Sequence, residues 1–517
     1  MPIREKTSVS AIQQAAVYGF FAVFLLLGLL IYKDYGISWD EPNQLITGKI
    51  TMRYVAGNGD ELFAYDYKNY GTAFILPLAV LEKIFNLTGN SRSLFMIRHL
   101  ATFLLFFLGV VFFYKLCKYR FQSWKMGLAG ALFLILSPRI FANSFYNPKD
   151  IPFLSLFIIS VYTLIQYLNT PTLRKATLHA LACAILIDIR IVGIIVPFFT
   201  FLFLLLGVRA KQRGTGLRPI LFENALIWYL LLLAAFTIFF WPLLWRHPLA
   251  SFMAAYLEMG RYIHLYYILY LGKLISSSSL PWHYLPVWIF ISTPLFYLVF
   301  FLIGALVSLV VLLKNPIKYL REKRDDLLFL FWFFLPLSVI IVSKPVLYDD
   351  WRQAYFIYPA LLLIAMTGMK YVLDLITVKS AFIIIAAISL APVITFMIKN
   401  HPYQNVYFNS LAGRDMVDIK KKFELDYWGL SYRKALEYIL ATDKNKEIKI
   451  CVANHPGIFN SFILPREERN RLVYVVEPEK AKYFLSNYRW HPEEYAFGNE
   501  YYSIKVGNAK IMTVYKL

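Results

Sequence analysis

Four short runs hold residues whose types and spacing could do chemistry. The first is Gly36-Ile-Ser-Trp-Asp-Glu-Pro42. Pro42 is comfortable only in a helix's first turn, so a helix should begin at or just before Asp40. Two readings of its acids stand together. Asp40 or Ser38 is an N-cap, with Glu41 adding a capping-box contact. Alternatively, Asp40 lies at the positive end of the helix dipole, ionised and ready to accept a proton. The second run, Ser137-Pro-Arg-Ile-Phe-Ala-Asn-Ser-Phe-Tyr-Asn-Pro-Lys-Asp150, ends in an acid just before an apolar stretch, where a helix cap and a functional carboxylate are again both open. The third is Asp188-Ile-Arg190, inside an apolar hairpin. Ionisable groups there are costly and pair or serve a pathway, but residues two apart on a helix do not face each other. The fourth, Lys344-Pro-Val-Leu-Tyr-Asp-Asp-Trp-Arg-Gln-Ala-Tyr-Phe-Ile-Tyr-Pro359, reads either as an interfacial aromatic belt or as part of a site, and so does Arg98-His99.

The chemistry these runs share is that of acids beside cations. Arg98, Arg190, Arg352 and Lys149 suit a phosphate, which arginine holds bidentately. A nearby carboxylate (Asp40, Glu41 or Asp150) suits deprotonation of an attacking hydroxyl. Trp39, Tyr146, Tyr348 and Tyr355 are the aromatic candidates for lining a substrate path. Asp40 and Asp150 would be the ligands of any divalent metal, but two hard oxygen donors are too few to define one. No Walker-type or dinucleotide glycine loop is present, and Gly214-Thr-Gly216 is a lone basic turn. Cys117, Cys183 and Cys451 are too scattered for a disulfide framework or a metal site. His455 and His491, each followed by proline, read as ordinary loop residues.

The elements that must position these groups are membrane spans. The chain has 517 residues, 59% hydrophobic and only 16% charged, with a mean hydropathy of +0.53. That excludes a soluble protein built on ordinary cores. Apolar stretches predict about eleven spans, each near the ~20 residues that cross a bilayer. They lie near 17–32, 99–116, 126–138, 151–168, 176–188, 191–207, 222–241, 284–313, 327–342, 354–373 and 380–398, the fifth and sixth forming a tight or re-entrant hairpin. The first span lacks a small-residue cleavage site and so reads as uncleaved.

The formal charge of +21 is concentrated between spans rather than on one soluble face, which argues against nucleic acid. Lys115, Lys118, Arg120 and Lys125 form one basic loop. Arg209, Lys211, Arg213 and Arg218 form another, and Lys314, Lys318, Arg321, Lys323 and Arg324 a third. The positive-inside tendency puts these loops, with Arg4 and Lys6, in the cytoplasm. An odd span count then carries residues 399–517 outside. Residues 1–398 are the membrane domain, with outer loops 33–98, 139–150, 243–283 and 343–353, so every run above falls on the outer side. In the tail, Gly429–Leu440 reads as an amphipathic helix. Lys446–Val452, Arg471–Val476, Ala481–Leu485 and a pair around Gly507-Asn508 read as strands, making a small α/β domain.

The order of these features resembles the GT-C glycosyltransferases, with the protein O-mannosyltransferases and lipid A aminoarabinose transferases as the nearest branches. It comprises an apolar span, a Trp-Asp-Glu loop, Arg98 at span two, a Ser-Pro loop ending in Asp150, and Arg352-x-x-Tyr-x-x-x-Pro at span ten. The likeness covers roughly the first 400 residues. His401-Pro-Tyr-Gln-Asn-Val-Tyr-Phe-Asn and Glu424-Leu-Asp-Tyr-Trp-Gly-Leu-Ser-Tyr432 resemble a bacterial subgroup of such proteins. The resemblance implies a polytopic helical fold and a polyprenyl-phosphate sugar donor. It also implies inverting transfer to a lipid, glycan or protein acceptor at the outer face of a bacterial inner membrane. By position, Asp40 matches the family's proposed general base, Glu41 completes its Asp-Glu pair and Asp150 matches its second-loop acid. Arg98, Arg190 and Arg352 fall near positions where relatives use cations for the lipid phosphate, Arg190 replacing what is often lysine. No β-trefoil-like insert interrupts the chain, which weighs against a protein acceptor. A different class, a flippase for a lipid-linked saccharide with the same charges lining its path, is the competing reading.

Overall fold

The computed structural model describes residues 11–211, 219–258 and 266–517. Arg4, Lys6, Arg213, Arg218 and Gly214-Thr-Gly216 lie outside them, as do the side chains of Arg209, Lys211 and Arg321. The protein is mostly helical. Among the described residues, seven helices are long and apolar enough to cross a membrane, or eight if the bent pair Trp124–Ile135 and Pro138–Tyr146 is one span. Every predicted span falls on a helix. Of the central helices, Leu173–Ile189 has 17 residues, Ile195–Lys211 has 17 and Pro219–Phe240 has 22.

Two predicted spans are broken, both at proline. The stretch 284–313 is two helices, Tyr284–Ser292 and Leu295–Lys314, separated at extended Thr293 and at Pro294. Proline cannot donate an amide and disfavours a helical residue before it, so Thr293 ends the first helix. Pro138 likewise opens its own helix, 70° from the preceding one. That bend turns the predicted outer loop 139–150 into a wholly buried helical wedge, Pro138–Tyr146. Helices Leu295–Lys314 and Tyr358–Leu375 pack through glycine: a Cβ on Gly304 would strike the Ile364 carbonyl, and one on Gly368 that of Phe300. Small residues permit such close crossings where no hydrophobic force draws helices together.

Helix Asp150–Asn169 gives the bundle its two ends, about 30 Å apart at the rise of an α-helix. Asp150 belongs to the acid–cation cluster described below. At the other end Asn169 accepts from Arg324 at 2.8 Å. Arg120 donates to Asp326 at 2.5 Å. Arg120 and Arg324, from two of the basic loops, therefore lie at the end opposite Asp150.

The tail carries helix Ser431–Thr442, whose buried Tyr432, Ala435, Leu436, Ile439 and Leu440 follow a helical stripe. It packs on five strands. A short hairpin, β1 (Tyr267–Tyr270) with β2 (Lys273–Ser276), precedes them in the chain. The tail strands are β3 (Ile448–Val452), β4 (Leu472–Tyr474), β5 (Tyr483–Ser486), β6 (Glu500–Val506) and β7 (Ala509–Lys516). Their order is β4-β3-β5-β7-β6, with β3 parallel to β4 and β5 and the rest antiparallel. All three cysteines are free and buried. The tail is bolted to the helices: Asn409 donates from Nδ2 to the Phe290 and Thr293 carbonyls at 2.6 and 2.7 Å. Those are the carbonyls that the break at Pro294 leaves without helical partners.

Candidate active site

Helix Glu41–Val55 starts one residue after Asp40, and the Asp40 side chain makes no cap bond. The capping work is done elsewhere. Glu41 accepts from the Ser38 amide at 2.6 Å, while the Ser38 hydroxyl donates to the Tyr146 carbonyl at 2.8 Å. At the second run Asn147, two residues before the Lys149 N-cap, does this work, its Oδ1 accepting from the Asp150 amide at 2.9 Å. Both aspartates are thereby left with their carboxylates available, and one guanidinium takes them. Arg352 Nη1 lies 3.0 Å from Asp40 Oδ2 and 3.0 Å from Asp150 Oδ2. Arg190 donates to the other Asp150 oxygen, and Asn147 Nδ2 to Oδ2 at 2.9 Å. Trp428 and Tyr348 cover Arg352, with ring centroids 4.5 and 4.9 Å from its Cζ.

Arg352 is not used up by these contacts. Its Nη2 is 3.6 Å from Asp349, too long for a hydrogen bond. Among the described residues, Arg352 Nε and Nη2 and Arg190 Nε have no acceptor although they are buried. Arg190 lines a cavity of about 490 Å³ with Lys149, Tyr70, Tyr348 and Gln353, whereas Arg352, Asp40 and Asp150 are not part of its lining. Tyr65, Tyr67 and Tyr70 of the first loop form one wall. Burial, then neighbouring Arg190, holds the Lys149 ammonium well below its usual range. Its Nζ sits 3.1 Å from the centre of the Tyr70 ring. An anion arriving here would offset both causes and restore its charge.

Asp350 is the hub behind the site. Its Oδ2 accepts from Arg139 at 3.0 Å and from Tyr355 and Tyr427 at 2.9 Å each. Its Oδ1 accepts from the Arg352 amide at 2.5 Å. Burial raises the Asp349 and Asp350 carboxyls above the ordinary range, against the pull of Arg489 on the first and Arg139 on the second. Asp188 and Arg190 do not pair. Asp188 accepts instead from the Ala73 amide at 2.9 Å, which pins the tyrosine-bearing loop to the hairpin.

Asp40, Asp150, Lys149, Arg190, Arg352 and Tyr348 therefore come together, and the other sequence candidates do not join them. Glu41 faces His99, with Oε1 2.9 Å from Nε2. Arg98 pairs with Glu82 at 2.6 Å, both buried; this local acid takes the guanidinium away from the cavity. Tyr146 is buried against Trp428 and Tyr35, and Tyr355 is spent on Asp350, so neither lines the cavity. Trp39 stacks edge-on against Trp490 and His455, at 6.0 and 6.1 Å. Residues that sequence reasoning missed are Asp349, Asp350, Arg139, Gln353, Trp428, Arg489 and the tyrosine wall. The run Tyr65-Asp-Tyr-Lys-Asn-Tyr70 carried a signal in its aromatic and charged alternation. Arg489 carried none.

Fold and site together define a polytopic helical membrane protein whose small sheet-bearing tail helps build an acid–arginine centre at one end of the bundle. Among solved structures, the chain is similar to ArnT from Cupriavidus metallidurans bound to undecaprenyl phosphate, at 12% identity and a TM-score of 0.49 over 98% of each chain. It is also similar to the apo state of that protein, at 11% identity and a TM-score of 0.46, covering 96% of this chain and 98% of the other. No protein-family model matches the sequence, and no curated protein does.

Proposed function

We propose that the chain is an inverting GT-C-type glycosyltransferase that moves a sugar from a polyprenyl-phosphate donor to an acceptor hydroxyl at the outer face of a bacterial inner membrane. The N-terminus is then cytoplasmic and the tail periplasmic. The observation that carries this reading is the sharing of Arg352 by Asp40 and Asp150, with an Arg190 donor left unfilled at a cavity that Lys149 also lines. An acceptor oxygen attacks the anomeric carbon while Asp40 takes its proton. The bond from that carbon to the phosphate oxygen breaks, and the phosphate leaves with the electron pair. Arg190, Arg352 and Lys149 stabilise its growing charge. One displacement on one face inverts the configuration. Asp40 is the base because its side chain is 23% exposed and that of Asp150 only 2%.

Transfer without a resident divalent metal is part of this proposal, since both aspartates already accept from arginines. Asp40→Asn in folded, membrane-inserted protein tests the proposal. Release of polyprenyl phosphate from the donor should fall by about 10²–10⁴-fold, the contribution of a positioned general base. Near-wild-type turnover would overturn the assignment. Movement of an intact lipid-linked sugar across the bilayer without bond cleavage would support the flippase instead.

A further inference from the structure

Asp349 stands between two arginines that come from different parts of the chain. Its Oδ1 accepts from Arg489 Nη2 at 2.7 Å, and its Oδ2 lies 3.6 Å from Arg352 Nη2. Arg489 belongs to the tail, just after β5, and is 4% exposed in its side chain. Its other terminal nitrogen donates to the Tyr427 carbonyl at 2.6 Å. Its guanidinium packs beside the edge-to-face pair Trp39 and Trp490, 4.6 Å from each ring centroid. Glu424 lines a small cavity with Arg489, Lys420 and Lys510, and Arg489 is the first cation acting on it.

The backbone on both sides of this pair is held in an unusual conformation. Asp349 and Asp350 have φ of 56° and 60°, and Tyr488 and Trp490 have φ of 61° and 62°. These are four of the eight non-glycine residues with left-handed φ among those described. Bulky aromatic residues pay a steric penalty there. Such strain persists only where surrounding contacts impose it, and it gathers at functional sites. Here it aims one carboxylate and one guanidinium at each other.

We propose that Arg489 is a positioning residue: by neutralising Asp349 it leaves the Arg352 guanidinium to bridge Asp40 and Asp150. This rests on reading those two carboxylates as the active centre. Without Arg489, Arg352 is the cation left beside Asp349, 3.6 Å away, and the carboxylate draws that side chain off Asp40. A phosphate then meets an extra negative charge and a displaced cation.

The test is binding of undecaprenyl phosphate to the full-length protein in nanodiscs, read by tryptophan fluorescence. Arg489→Gln should weaken binding about tenfold, the scale of a coupling carried through a neighbour. Adding Asp349→Asn to that variant removes the stray anion and should restore binding to within about threefold of wild type, a non-additivity expected only of directly coupled residues. Arg489→Lys keeps the charge and should lie nearer wild type than Arg489→Gln, which also covers failure of the glutamine variant to fold. Unchanged binding in Arg489→Gln, or a double variant as weak as the single one, overturns the proposal. If the wild-type protein does not bind the probe, the donor assignment has failed instead. The inference is then read from the structure of Arg489→Gln: an Arg352–Asp40 separation beyond about 4 Å supports it, and an intact bridge rejects it.

Discussion

Asn460 of the tail clamps both sides of the Ile37 backbone: its Oδ1 accepts from the Ile37 amide at 2.9 Å, and its Nδ2 donates to the Ile37 carbonyl at 3.0 Å. A side-chain amide thus imitates a neighbouring strand three residues before Asp40. The same Nδ2 also reaches the Gly429 and Pro456 carbonyls, at 3.0 and 2.9 Å, so one buried group fixes the first loop to the tail. Asn460→Ala should cost about 1–3 kcal/mol for each backbone group it strands without a partner. Because Asp40 loses its register, transfer should fall further than the thermal midpoint implies. Activity measured well below that midpoint checks this: a loss that disappears on cooling would show that the amide serves stability alone.

Asp150→Asn should behave differently from Asp40→Asn. Asp150 is 2% exposed and answers two arginines, so its loss leaves Arg190 without its carboxylate and Arg352 with Asp40 as its remaining close one. Removing one partner of such a pair costs about 3–5 kcal/mol. The variant should lose both thermal stability and ordered phosphate binding, whereas Asp40→Asn should keep the binding and lose the chemistry. Equal stability in the two variants would refute this division of labour.

The tyrosine wall depends on one glycine. A Cβ on Gly71 would strike the Asp188 carbonyl, so Gly71→Ala must push the loop off the hairpin and carry Tyr70 away from Lys149. Overpacking of this kind costs about 1–3 kcal/mol. The expected signature is a raised KM for the lipid donor with a smaller change in kcat. Kinetics that match wild type would mean that the wall takes no part in donor binding.

Burial pushes the Glu424 carboxyl up to about 7. The folded protein therefore favours its protonated form, and the stabilisation is complete below the ordinary glutamate range and lost as pH rises through 7. Across pH 4.5 to 7 the loss is about 3 kcal/mol at most. Thermal unfolding followed over this window should show Glu424→Gln flattening the decline. A steeper decline in the variant would reverse the sign of the argument.

Chelation offers a separate check on the donor set. With Asp40 and Asp150 committed to Arg352, activity should survive EDTA at concentrations that strip magnesium and manganese. Loss of turnover that is regained on adding a divalent ion would place a metal where the arginine bridge now stands.

Much of the fold was legible because lipid imposes a simple rule on sequence. Charged residues inside apolar stretches are costly, so Asp150, Arg190 and Arg352 stood out against their surroundings and were brought to one place. The breaks at Pro138 and Pro294 were also written in the chain, but long apolar runs on both sides masked them. Partner choice was hidden. Nothing in the sequence around Arg98 told that Glu82 would claim it, or that His99 would claim Glu41. Tyr146, in the predicted outer loop 139–150, and Tyr355, at the start of the predicted span 354–373, were candidates to line a substrate path, whereas the bend at Pro138 buries the first and Asp350 captures the second. Asn460 and Arg489 were invisible because their importance lies in contacts with residues 423 and 140 positions away, and a single sequence records no such pairing.

The Asn460 clamp also bears on biogenesis. Ile37 leaves the ribosome 423 residues before the amide that will hold it, and Arg489 emerges later still. Between the synthesis of Arg352 and that of Asn460 and Arg489, the carboxylates and Arg352 can already be in the membrane while the pieces that set their geometry do not yet exist. A nascent chain would thus pass its lipid neighbours as an inert intermediate. Catalytic competence would arrive abruptly, when the tail docks.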